Sequence, residues 1–183
     1  TIIILGVLIL ILFSGCILGN DATSIAHEMQ DARTNSVPNG LLVPSTLSTR
    51  DEYTNQLLSF RPRINALGGG EKETLSAYLD GSLSAVKVVN ATDDALNLLE
   101  NVNFDFVTCN QNDPANKAIH SLEDAQRNAQ SAFTDFERVQ ENPSLANALG
   151  VEYIQNAFQT MKVVGETHAQ RVKELKTACG FST

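Results

Sequence analysis

The chain has 183 residues, enough for one domain of ordinary size with a leader and a linker. Of these residues 43% are hydrophobic but only 6% aromatic, with no Trp, so a core must be built largely from Leu, Val, Ile and Ala, which favours helices. A formal net charge of -8, without a stripe of Lys or Arg, argues against phosphate-backbone binding and so against a nucleic-acid partner.

In chain order, the first element is an uncharged apolar run, IIILGVLILILF at residues 2–13. It has the length of a signal-peptide h-region and is shorter than the roughly 20 residues of a membrane span. Ser14, Gly15 and Cys16 follow. The run and its small-small-Cys ending resemble the lipobox of prokaryotic lipoprotein signal peptides, with Phe13 where that pattern usually has Leu. The Ile-rich leader is also similar to those of archaeal surface lipoproteins. The resemblance implies cleavage before Cys16, diacylglycerol on its thiol, and a location on the outer, extracytoplasmic face of the cell membrane. Two acyl chains, at about 0.8 kcal/mol per buried CH₂, anchor stably without a spanning helix. The other reading of the run is an uncleaved membrane helix, which leaves the domain on the same side of the membrane. Because residue 1 is Thr, the translated start is expected upstream.

Residues 16–47 are rich in Asn, Ser, Thr, Pro and Gly, with a brief helical pattern at AHEMQDAR, and read as a flexible linker behind the lipidated Cys. The bundle domain is expected over 48–183, with 1–15 as the leader. Thr49 and Glu52 form a candidate capping box for a helix carrying Tyr53, Leu57, Phe60 and Ile64 on one face. Pro62 predicts a kink or stop there, and Gly68-Gly69-Gly70 a hinge.

Three long helices follow. The first, over about 71–104, carries Leu75, Leu79, Val86, Val89, Leu96, Leu99 and Val102, with a polar interruption at Thr92 and Asp93. Asp113-Pro114 and Asn142-Pro143 each place an N-cap residue before a proline at the first helical position, and so mark the second and third starts. Ala115, Ala118, Leu122, Ala125, Ala129, Ala132, Phe136 and Val139 alternate steps of three and four. So do Val151, Ile154, Phe158, Met161, Gly165, His168, Val172, Leu175 and Cys179. Short loops force antiparallel neighbours. The fold expected is all-α: an up-down-up bundle of three long helices, about 40 to 50 Å long, with the 48–67 helix as a partial fourth. Lys173 and Lys176 suit the negative end of the last helix, and Gly180 its stop.

Folding the last two helices back at residue 143 brings position 179 level with residue 107. A Cys109 to Cys179 disulfide would then staple the end of the third helix to the first interhelical loop. It would close a loop of about 70 residues and contribute about 4 kcal/mol. The remaining cysteine is then the lipidated Cys16. The alternative for Cys109 and Cys179 is a pair of free thiols or soft metal ligands, although nothing in the spacing supplies further ligands.

Little else suggests chemistry. His120 and Glu123 sit on the outward face of the second helix as a solvated pair. His168 occupies a seam position, where it is either a satisfied core histidine or, beside Gly165, part of a gap that binds a ligand. Asn90-Ala91-Thr92 is a glycosylation sequon if Asn90 faces solvent. The sequence has no haem-attachment, phosphate-loop, nucleophile-elbow or zinc-protease motif. The expectation is a protein without enzyme activity, cofactor or metal, held to the membrane through Cys16 and acting on other cell-envelope proteins as a structural or interaction module. The alternative is a surface binding or sensory module for a small ligand.

Overall fold

The computed structural model describes residues 21–38, 40–100, 102 and 113–180. Among them every regular element is a helix: α1 (Ala22–Ser36), α2 (Leu47–Ser59), α3 (Arg61–Asn65), α4 (Gly69–Leu99), α5 (Pro114–Gln140), α6 (Pro143–Leu149) and α7 (Val151–Ala178). The all-α bundle of three long helices is the observed fold. The leader, Cys16 and Cys109 lie outside the described residues.

The long helices pack as the heptad stepping requires. All eight α5 positions, from Ala115 to Val139, are buried. Their alanines let α5 approach two neighbours at once, and it packs extensively on both α4 and α7. Gly81 of α4 shows how close that approach is: a Cβ built there would lie 3.2 Å from the Asp135 Cβ. Gly81 sits beside Asp135 and Phe136, while Ala95 clusters with Ala118, so α4 and α5 are antiparallel. Gly165 faces Ala129, and the Lys176 Nζ lies 2.6 Å from a Glu123 oxygen, so α5 and α7 are antiparallel as well. The 31 residues of α4 span about 46 Å.

Four local expectations are corrected. The flexible linker expected over 16–47 is instead helical core over Ala22–Ser36, where α1 packs into the bundle. Asp21 caps it by accepting from the Ser24 backbone N–H at 2.6 Å, and Ala22, Ile25, Ala26, Met29 and Ala32 are buried. The next helix starts before Thr49: Thr46 is its N-cap, and its hydroxyl pairs with that of Thr49 at 2.8 Å. The chain breaks at Phe60, with Pro62 in the first turn of α3, where a missing N–H costs nothing. Tyr53, Leu57, Phe60 and Ile64 nevertheless all face inward, as expected. The triple glycine is no hinge but the start of α4, with Gly69 in the left-handed region at φ +60.

The fourth correction sets the register. The helix starting at Pro143 lasts only to Leu149, and Gly150, at φ +93, turns the chain into α7. The turn spent in α6 shifts α7 along α5. Cys179 consequently packs against the cluster that includes Ala118 and Ile119, further along the chain than the level of residue 107. Gly180, at φ +72, follows the C-cap of α7 as expected.

The core is divided. A large cluster joins α1, α2, α3, the first half of α4, the end of α5, α6 and the start of α7. A small one, at the other end of the long helices, is built on Ala95, Ala118, Ile119, Leu122, Val172 and Leu175. Between them lies the polar interruption noted at Thr92. Three ion pairs tie the short helices on, one of them between Arg61 of α3 and Asp80 of α4 at 2.7 Å. Arg63 of α3 binds both Glu28 oxygens of α1 at 2.5 and 2.8 Å, and this bond holds the Glu28 carboxyl below its usual range. Arg50 of α2 reaches Asp93 of α4 at 2.5 Å.

Candidate functional site: the seam between α4 and α7

Because α5 holds α4 and α7 on either side, those two helices run parallel, and a seam between them is left partly open. Its central feature is a hydrogen bond of 3.0 Å between the Thr92 Oγ1 of α4 and the His168 Nε2 of α7. The chemistry of Thr92 assigns the proton. Its hydroxyl also contacts the Val88 carbonyl at 2.7 Å, an acceptor that must receive the one hydroxyl hydrogen. Thr92 Oγ1 therefore accepts from His168, which carries its hydrogen on Nε2. Nδ1 is left as an acceptor with no hydrogen-bond partner among the described residues.

Burial pushes the His168 imidazole below its ordinary value of 6.5, so it is neutral at pH 7. The unfolded chain then binds the extra proton more readily than the folded one. The stability this group contributes is complete above pH 6.5 and is lost as pH falls through the lower folded value. Asp93 on α4 and Glu166, Arg171 and Glu174 on α7 are the charged groups lining the same seam. His168→Gln, which retains a donor for Thr92, is expected to flatten the fall in melting temperature between pH 6.5 and about 5, read by calorimetry.

The bridge separates two grooves. The first, of about 580 Å³, is roofed by the 40–45 loop and lined by Val88, Val89, Met161 and Val164, with Thr92 and His168 at one end. Its volume and apolar walls are those of a small-molecule site. The loop is fixed by Tyr153, whose hydroxyl donates to the Leu42 carbonyl at 3.0 Å. Asp93 stands on its edge, held by Arg50, which is 4% exposed. The second groove, of about 590 Å³, runs on past His168 between Leu96, Leu99, Leu122 and Val163. Leu96, expected in the core, is 60% exposed here, and Val163 opposite is 59% exposed.

The other sequence candidates are scattered. Gly165 does not share the gap of His168. Three residues earlier, it is turned by about 60° around α7. A Cβ there would face Ala129 of α5 at 3.5 Å, along a separate groove of about 670 Å³. Asn90 is half-buried, with its Oδ1 enclosed and unpartnered, so a glycan there requires the amide to turn outward. Glu123 is more than half of a solvated pair: His120 contacts it at 3.3 Å, and Lys176 of α7 at 2.6 Å draws its carboxyl below the usual range. Cys179 is half-buried at the C-cap of α7 and is a partnered side chain.

What sequence reasoning missed is Arg50, which reads as an ordinary surface cation in a helix. All three tyrosines, Tyr53, Tyr78 and Tyr153, converge in the large core, with Ser82 beside them. Burial raises their phenols above the ordinary value of 10.0. Among the described residues no group of His, Cys, Asp and Glu could hold a metal ion, and no helix is long and apolar enough to cross a membrane. Comparison of the chain with protein-family models, curated proteins and solved structures returns no match.

Proposed function

We propose that the chain is a lipid-anchored, extracytoplasmic helical-bundle protein that serves the cell envelope as a non-enzymatic structural or protein-interaction module. The observation that carries this reading is the open seam, where two long parallel helices present Leu96 and Val163 to solvent beside a groove. The anchor is argued from residues 2–16, and the oxidising location from the proposed Cys109 to Cys179 staple, for which the partnered side chain of Cys179 at the C-cap of α7 is the support. On intact cells, a membrane-impermeant amine reagent should label the exposed Lys87 and Lys162. Labelling that requires lysis would contradict the location.

A second reading, a small-ligand binding or sensory module, is favoured by one observation: a mostly apolar groove of about 580 Å³ has the hydrogen-bonded Thr92 and His168 among its lining residues. A compound of the protein's own medium that raises the melting temperature of the wild type, and not of His168→Phe, would support it. Equal shifts in both would remove it.

A further inference from the structure

We infer that the lower half of the α4–α7 seam is the docking surface for a basic amphipathic helix of a partner protein. This rests on the interaction-module reading and names the kind of partner. Above His168 the seam is already covered, by the 40–45 loop and by Arg50 reaching from α2. Below it no described element covers the equivalent strip, and two apolar side chains on its walls, Leu96 and Val163, stand more than half exposed.

The shape selects a helix. The walls are two parallel helices, and the groove runs from Thr92 to Leu99 on one and from Val163 to Glu174 on the other. That is about 17 Å on the longer wall, or three helical turns. A helix laid there meets the groove with side chains at i, i+3 or i+4, and i+7, and completes a fourth position around the small core. Leu99 and Leu122 form its floor.

The charge selects the sign. Glu100 extends the Leu96 face one turn on, and Glu166 and Glu174 edge the opposite wall. The one cation among the groove's lining residues, Arg171, is bonded to Glu174 at 3.2 Å and the two charges offset, so Glu166 and Glu100 set the acidic sign. A second copy of this chain, itself at -8, would be repelled, whereas Lys or Arg flanking an apolar stripe would be drawn in.

The test uses the full chain with two labelled synthetic peptides of helical Leu spacing, one with Lys and one with Glu on the polar face, read by fluorescence anisotropy. The Lys peptide is expected to bind and the Glu peptide to fail. Leu96→Glu and Val163→Glu should each weaken binding about tenfold or more, as for an anchor residue, and Glu166→Lys should weaken it by a smaller factor. These positions are exposed, and circular dichroism checks that each variant folds; Leu96→Gln and Val163→Gln serve if one does not. Binding of the Lys peptide that is unchanged by the Leu96 and Val163 variants would mean adsorption to an acidic surface and would overturn the proposal, as would no binding. Sedimentation showing a dimer that Leu96→Glu dissociates would give the surface to a second copy instead. None of these results depends on where the protein is anchored, so the cell-surface labelling can fail or succeed independently.

Discussion

Phe136→Ala should lower the unfolding free energy by about 3 to 5 kcal/mol, more than any substitution on the seam. Phe136 is fully buried at the point where α4, α5 and α7 meet. Its ring takes Tyr78 edge-on at 6.3 Å and Tyr153 at 6.2 Å. Gly81 brings the α4 backbone against it, so a Cβ there would already lie 3.5 Å from the ring. With backbones this close the site cannot collapse around a smaller side chain, and the cavity adds to the lost transfer energy. Urea unfolding would show this as a lower midpoint at an unchanged slope. A loss below about 1 kcal/mol would mean that the aromatic cluster does not organise this end of the bundle.

The second large effect separates two substitutions in one ion pair. Asp93→Asn should cost about 2 to 3 kcal/mol, and Arg50→Met clearly less. Arg50 is 4% exposed, and its Nε and Nη1 are enclosed without partners among the described residues. Neutralising Asp93 leaves that cation buried and uncompensated, whereas Met removes the charge and the unsatisfied donors together and keeps much of the volume. Asp93 itself is half exposed, so water screens the pair and keeps the cost below that of a fully enclosed one. Chemical unfolding of both variants gives the order. Arg50→Met proving the more damaging would show that the guanidinium is valued for more than its bond to Asp93.

How much of this was legible follows from how each residue is packed. The α5 stepping was readable in full, because a central helix with neighbours on two sides buries a regular stripe. On α7 the same stepping succeeds at Ile154, Met161, Val172 and Leu175 and is only partly buried at Val151, Phe158, Gly165 and His168. Stepping assumes a partner along the whole seam, and here α7 has one close neighbour, α5, with α4 standing off. Leu96 misled for the same reason. In α1 the Asn and Ser content masked a regular apolar spacing from Ala22 to Ala32, and Asp21 followed by Ser24 was the signal that could have found it. Thr92 was legible as an interruption, but its partner His168 lies 76 residues away and was not, since two helices meet there that are not consecutive. Arg50 carried no sequence signal at all, because burial of a cation depends on an acid placed by another helix.

The measurement that bears most directly on the proposed anchored, extracytoplasmic module is the intact mass of the protein from its native membrane, before and after reduction and alkylation. The expected mass begins at Cys16 with diacylglycerol attached, and two thiols become available only on reduction, as a Cys109 to Cys179 disulfide requires. A mass that retains residues 1–15, or three thiols alkylated without reduction, would contradict it.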